Sequence, residues 1–516
     1  MDFKVNREIF STNEVVFDGS NEQAIELDYI LPDYFPEIFR VLKCQLSPRI
    51  VSHSINGDKL TYELVVGIRV LYISENSNAL RSMEQKLNYT KNIDLGKSVE
   101  KPAVSLLPKT DYINCRVVNQ RRLDFRGAVS IKSKIMAEKK QQVITDAFGS
   151  NVQLKKSIVT YPTNRLVASK RATIVESLDL GSTKPQIISI ARSDANAMVL
   201  DHKIITNKLI TKGEANINML YTCEKDNADS LEAMQFNIPF SQIIDIDGIN
   251  DNYEAIIKVN VISCEIIPGG SNGDSTEAEC EIVLMIDCVA SRYDNVEIVT
   301  DAYSTAHPCK FNVVDAKIEK KPMPIDENQT ARATIEYREG DITSVYDAWS
   351  KITNLNSRMD SNSQSIVMTG NCNFYVVASN ENGSPIYLES DLPFEYIMKA
   401  NGMNSDSYAE PKAMVISCSY NLTSTNSVEV KAEIKIGGYL YEASNEKLIS
   451  DIEVDDSTQK ERDGGYALKL YFAEEGEDIW EIAKKYSTSI KSIMEENELT
   501  SDSVSKKGML LIPIMN

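Results

Sequence analysis

Histidine is almost missing from this chain: there are 3 in 516 residues, His53, His202 and His307. That removes most histidine-based acid–base chemistry and leaves little from which to build a zinc site. His307 and Cys309 form an H-P-C triplet with no second ligand pair, so no metal is expected. Neither G-x-x-x-x-G-K-[ST] nor G-x-G-x-x-G occurs, so no nucleotide cofactor is expected either. DIDG at 245–248 brings its glycine too early for a calcium loop. GGSNG at 269–273 fits G-x-S-x-G formally, with Ser271 in the nucleophile's place. Pro268 precedes it and a strand pattern follows it, so a hairpin loop is expected rather than a nucleophile elbow. With no catalytic residue indicated, the chain reads as non-enzymatic.

Long apolar runs are missing too. None approaches the roughly 20 residues of a spanning helix, so no membrane insertion is expected. The opening MDFKVNREIF has no basic-then-apolar secretory pattern. The nine cysteines are odd in number and none is spaced C-x-x-C, which points to reduced thiols in a cytosol, mostly packed as small apolar groups. Basic residues are in deficit, 55 against 75 acidic, for a net charge of −20. Such a chain repels phosphate backbones and anionic lipid, so no nucleic-acid partner is expected.

Repetition is what the sequence has in abundance. PEIFRVL begins at Pro36 and PQIISIA at Pro185, 149 residues on; GIRVLY ends at Tyr72 and NINMLY at Tyr221, again 149. A third copy follows at 154: VISC at 261–264 recurs at 415–418, NINMLY at 216–221 is matched with GNCNFY at 370–375, and NIPF at 237–240 with DLPF at 391–394. Leu60, Tyr62, Leu64, Val66, Ile68, Val70 and Tyr72 alternate with polar positions, as do Val428, Val430, Ala432, Ile434 and Ile436. Period-two alternation of this length predicts strands with one buried face. EIVLMIDCV at 281–289 is apolar more continuously and predicts a central strand. The expected fold is mainly β: three sandwich- or barrel-like modules at 1–150, 151–307 and 308–450, a linker at 451–465, and a different unit at 466–516. A short helix is expected to open each module, as at PEIFRVL, and 150–175 and 308–332 read as connectors.

The last fifty residues change period. ALKLYF at 467–472 puts Leu468, Leu470 and Phe472 on one face, and Ile479, Trp480, Ile482, Ala483 and Tyr486 then follow helical spacing. Asp478 or Glu477 is placed to cap that helix, and Thr488 or Ser489 a second one ending at Asn497. GMLLIP at 508–513 closes a β-α-α-β order. This segment resembles a LysM domain, the peptidoglycan- and chitin-binding module. By that resemblance a glycan would lie at Gly476, Glu477, Asp478 and Ile479, and at Asn497, Glu498, Leu499 and Thr500. The chain departs from the family there, with Glu477-Asp478 in place of Asp-Thr, and nine acids against six lysines give 465–516 a charge of −3. Trp480 has two readings, a helix residue packed on the first strand or a partly exposed anchor.

DYILPDYFPEIFRVLKC at 28–44, ahead of the repeated strands and the LysM-like end, resembles the SPOCS family of spore-coat proteins. The resemblance implies a scaffold in the mother-cell cytoplasm, recruited to the forespore surface. It would bind other coat proteins and, through its LysM unit, the coat's basement-layer ATPase (SpoIVA-like). The face it implies is Leu468, Glu477, Asp478, Ile479 and Trp480. The alternative partner is peptidoglycan, with the chain tethered to cortex or wall.

Overall fold

The structure, a computed structural model, describes residues 3–75, 79–225, 228–269, 276–461 and 467–514. Ser271 lies outside them. The first unit holds β1 (Lys4–Ile30), β2 (Ile38–Asn56), β3 (Lys59–Ser74), β4 (Leu80–Asp94), β5 (Ala103–Asn119) and β6 (Arg122–Phe148). They form two antiparallel sheets, β1-β6-β5 and β2-β3-β4. The second unit repeats this order with β7 (Val152–Asp179), β8 (Ser189–Ile205), β9 (Lys208–Lys225), β10 (Ala228–Asp245), β11 (Tyr253–Pro268) and β12 (Glu277–Ser304), as β7-β12-β11 and β8-β9-β10. In the third unit the first and last strands are each broken in two. Its strands are β13 (Cys309–Glu319), β14 (Met323–Glu336), β15 (Ile342–Asp360), β16 (Ser365–Asn380), β17 (Pro385–Lys399), β18 (Tyr408–Ser424), β19 (Ser427–Tyr441) and β20 (Ala443–Val454). They give β14-β19-β18, β15-β16-β17 and the pair β13-β20.

The expected mainly β fold is observed, and the alternation explains it. The seven apolar residues of β3 named above are buried between the two sheets, as are the five of β19. β12 is a middle strand, and Val283 on its second face is buried as well, which blurs its alternation.

Four local expectations are corrected. PEIFRVL is not helical: Ile38 opens β2, whose pairing with β3 outweighs the helix-start signal of Pro36. The supposed connectors are strands, β7 and β13–β14, whose half-exposed positions carry the polar residues that suggested linkers. The presumed linker also starts inside β20, which runs to Val454. The third copy is misaligned at one strand. Tyr221 faces the core of its sandwich, whereas Tyr375 packs on a different cluster, between the units. The residue matching Leu220 is Val377, 157 positions on and not 154. An odd slip exchanges the two faces of a strand, and letter matching does not see faces.

The three units close into one body. β4 meets β8, β10 meets β15 and β17 meets β2, so each unit touches both others around a pseudo-threefold arrangement. A bulge in each unit's second strand turns Leu42, Ala191 and Tyr346 toward a shared cluster with Leu71, Leu220, Trp349 and Val377. Polar groups from all three units also meet repeatedly. Asp194 of the second unit receives Lys351 of the third at 3.1 Å and Arg69 of the first at 3.8 Å. Arg192, fully buried, bridges Asp194 and Asp347. Glu410 of the third unit takes Lys134 of the first and Lys258 of the second, each at 3.0 Å. Asn13 accepts from Arg165 at 2.7 Å and donates to Glu319 at 2.6 Å, again joining three units.

Beyond the sandwiches, the first and last strands of each unit run on as a two-stranded ribbon. Residues 4–15 pair with 136–148, residues 152–162 with 293–304, and β13 with β20. In the first two units a bulge marks the transition, at Val15/Phe17 and Arg292/Tyr293. The ribbons pack together into a stalk. Phe10, Val143, Tyr161, Ile298, Ile318 and Leu448 form one shared cluster, and Ile144, Val299 and Ile449 centre another.

Candidate functional site

The C-terminal unit holds β21 (Leu468–Ala473), α1 (Ile479–Lys485), α2 (Ile490–Glu496) and β22 (Gly508–Pro513), with β21 and β22 antiparallel. Gly476 adopts φ +85°, a conformation that favours glycine, and turns the chain from β21 into α1. Asp478 caps α1: one carboxylate oxygen accepts the Trp480 amide at 2.8 Å. Ser489 caps α2 by accepting the Ser492 amide at 3.0 Å. Ala473, Ile479, Ile482, Ala483, Ile493, Leu510 and Ile512 form the small core.

This core is completed from outside the unit. Tyr303, at the stalk end of β12, packs in the same cluster, edge-on to Trp480 with ring centroids 4.9 Å apart. Its hydroxyl donates to the Thr488 carbonyl at 2.7 Å, and burial pushes the phenol's pKa up. Asp301 accepts the Trp480 indole N–H at 2.6 Å, and the Lys484 ammonium bonds both its oxygens at 2.7 Å. Lys155 donates to the second Asp478 oxygen at 2.6 Å. Partial burial opposes the Asp478 carboxylate, yet Lys155 and the Trp480 amide hold its pKa below the ordinary value. Lys460 ties the connecting segment down, donating to the Ser304 carbonyl at 2.8 Å and to Ser487 Oγ at 3.1 Å.

The sequence-predicted residues therefore scatter. Trp480 is 3% exposed and Ile479 is fully buried, so of the two readings of Trp480 the packed one describes it, with this chain's own stalk, through Asp301 and Tyr303, among what covers it. Asp478 is held by Lys155, and Glu477 accepts from the Tyr471 hydroxyl at 3.2 Å. Of the glycan-loop positions, Gly476, Glu498 and Thr500 are exposed, while Leu499 packs on the small core. The Asn497 side chain is consumed: its amide donates to the Ile493 and Leu511 carbonyls, and its oxygen accepts the Leu511 amide. Backbone bonds from the 476–479 loop run to 502–504: Gly476 N to Val504 O at 2.8 Å and Ile479 N to Asp502 O at 2.9 Å.

Leu468 alone of the five predicted face residues is an exposed apolar side chain, and it has company. Leu468, Leu470, Phe472 and Met509 are 44, 65, 55 and 63% exposed. Phe472 pairs with Met509, Leu470 with the half-buried Leu511 and Leu468 with Pro513, so the outer face of the β21–β22 sheet is apolar from end to end. Lys507 lies over the Phe472 ring, 5.3 Å from its centroid. The alternation of ALKLYF is the signal for this face; what the sequence lacked was which side faces out. Asp301, Tyr303 and Lys155 carried no signal, because they sit more than 170 positions before the residues they hold.

No helix among the described residues is long and apolar enough to cross a membrane, and no group of three or more metal-ligating side chains occurs among them. No curated protein and no solved structure matches the chain. Two family models do match. One is described as SipL, SPOCS domain and covers residues 186–267, from the approach to β8 almost to the end of β11; the other is LysM and covers 474–513, from the loop before α1 to the end of β22. The chain thus carries a SPOCS-type segment within its second unit, whose strand order the first and third units share, and ends in a LysM domain.

Proposed function

We propose that this chain is a non-enzymatic scaffold of spore-coat assembly, acting in the mother cell at the forespore surface and binding the coat's basement-layer ATPase (SpoIVA-like) through its LysM domain. The observation that carries the reading is the outward apolar face of β21–β22. Four large exposed apolar side chains on one small sheet favour a protein partner, since a carbohydrate needs oriented polar groups beside its apolar contacts. Internal use of the Asn497 amide points the same way. On this reading Leu468 belongs to the partner face, while Ile479 and Trp480 serve the dock on the stalk.

The test is co-precipitation of the ATPase with the full chain and with Leu470→Glu and Phe472→Glu variants. Both variants should lose binding with the fold intact by circular dichroism. Undiminished binding would refute the face. The second reading, peptidoglycan tethering, is favoured by the LysM match and by the exposed Gly476, Glu498 and Thr500. Co-sedimentation of the full chain with purified peptidoglycan, unaffected by Phe472→Glu, would support it over the first.

A further inference from the structure

The second unit holds two thiols in contact. Cys264 on β11 and Cys280 on β12 have their sulfurs 3.9 Å apart, on neighbouring strands two register positions off the direct pair. A bulge at Val261/Ser263 immediately precedes Cys264 and increases the local twist. Cys264 is half-buried and Cys280 fully buried. We propose that these two form an oxidisable dithiol, with Cys264 the thiol that attacks peroxide and Cys280 the resolving thiol.

The asymmetry of the surroundings assigns the roles. Cys264 is the half-exposed thiol of the two, and Arg49 and Arg69 of the first unit lower its pKa against the effect of burial, while Asp194 opposes them. Cys280 is fully buried, and burial pushes its pKa up. The thiolate is the nucleophile, so Cys264 reacts first. Its sulfur attacks one peroxide oxygen; the S–O bond forms, the O–O bond breaks and hydroxide leaves, giving a sulfenic acid. The Cys280 sulfur then attacks the sulfenic sulfur. The S–S bond forms, the S–O bond breaks, and water departs with the Cys280 proton. Closing the pair from 3.9 Å to bonding distance shifts β11 against β12, so the product is a strained disulfide of the readily reduced kind. Because β11 also packs on β2 of the first unit, that shift is felt at a contact between units. Cys44 and Cys115 provide an internal comparison. They lie on β2 and β5 of the first unit, and Asp124 sits near Cys115 where Cys264 has two arginines.

The experiment is graded hydrogen peroxide treatment of the full chain, followed by denaturation, alkylation and peptide mass spectrometry. Cys264 and Cys280 should lose alkylation together, at a lower dose than Cys44 and Cys115, as one cross-linked peptide that glutathione restores. In Cys280→Ser, Cys264 should instead trap dimedone as a sulfenic acid. Two results would overturn the proposal. One is that both thiols remain alkylatable at doses that oxidise the other pair. The other is that wild-type Cys264 accumulates a dimedone adduct without the cross-link. The wild-type arm stands alone if the serine variant fails to fold.

Discussion

Removing the Asp301 carboxylate should release the LysM domain from the stalk. This one acid holds the Trp480 indole N–H and the Lys484 ammonium, and its own carboxylate is largely buried, at 17% exposure. Asp301→Ala leaves both donors facing a gap. A hydrogen bond to a charged group contributes about 1.5–3 kcal/mol. Lys484 is a third exposed and can turn to water, so the screened ion pair adds no more than about 1 kcal/mol. A total loss of about 2–3 kcal/mol lowers the ratio of docked to undocked LysM roughly 30- to 150-fold. Tryptophan fluorescence reads this directly, because the chain has 2 tryptophans and the other, Trp349, stays buried between the units. On undocking, the indole edge that met Asp301 and Tyr303 reaches solvent. The emission should move to the red and acrylamide quenching should rise for about half the signal, with trypsin cleavage appearing after Lys460. Asp301→Asn, which keeps an acceptor for the indole, should fall between the two. Unchanged quenching in Asp301→Ala would show that Trp480 is covered by its own domain alone and that the acid does not hold the dock.

Three further outcomes follow from the closed body. Glu410→Gln should lower the unfolding free energy from urea curves by about 1–2 kcal/mol, since it removes the charge shared by Lys134 and Lys258, both partly exposed; no change would mean that the three-unit contact is incidental. The Lys412 residue is exposed, but its ammonium turns inward to donate to the Ala197 and Val259 carbonyls, and desolvation there, aided by Lys258, pushes its pKa down to about 8. Between pH 8 and 10.5 the unfolded chain binds that proton more tightly, so wild-type stability rises with pH across this window relative to Lys412→Met, by about 1 kcal/mol once solvent screening of the exposed residue is allowed for; parallel urea curves for the two would refute the desolvated charge. Gly213→Ala should cost about 2–3 kcal/mol in thermal unfolding, because a Cβ there would overlap the Met198 carbonyl and the Phe240 ring.

The sandwiches were legible because burial on one strand face writes a period of two into the sequence, which β19 carries cleanly from Val428 to Ile436 and β3 carries from Leu60 to Tyr72 apart from Val65 and Leu71 on its other face. The caps Asp478 and Ser489 were legible because capping is local chemistry between residues two or three apart. The ribbons were not. Along 4–15 and 152–162 the buried face is shared among three ribbons, so the apolar positions are sparse and look like linker. The fate of Trp480 was illegible for a related reason. Whether an amphipathic helix turns its tryptophan to solvent or to a neighbour depends on what stands opposite, and Asp301 and Tyr303 arrive there only through the stalk. For Leu468, Leu470 and Phe472 the alternation marked an apolar face but not its direction, because nothing in the pattern names the side that α1 and α2 cover.

The number of units has a physical reason. A two-stranded ribbon is marginal by itself in water, and each unit sends out only one. A single unit would leave Phe10 and Val143, or Tyr161 and Ile298, exposed on a bare ribbon; three ribbons together bury these residues against one another. The acids Asp194, Glu410 and Glu319 follow the same logic, since each needs bases or amides from other units to satisfy its charge. Closing the three units is therefore what makes the stalk, and the stalk supplies the surface on which Asp301 and Tyr303 receive the LysM domain. The direction in which the apolar face of β21–β22 points is thus set by residues of all three units, although the LysM domain is held mainly by the second unit's ribbon, with Lys484 also lying over the Phe311 ring of the third.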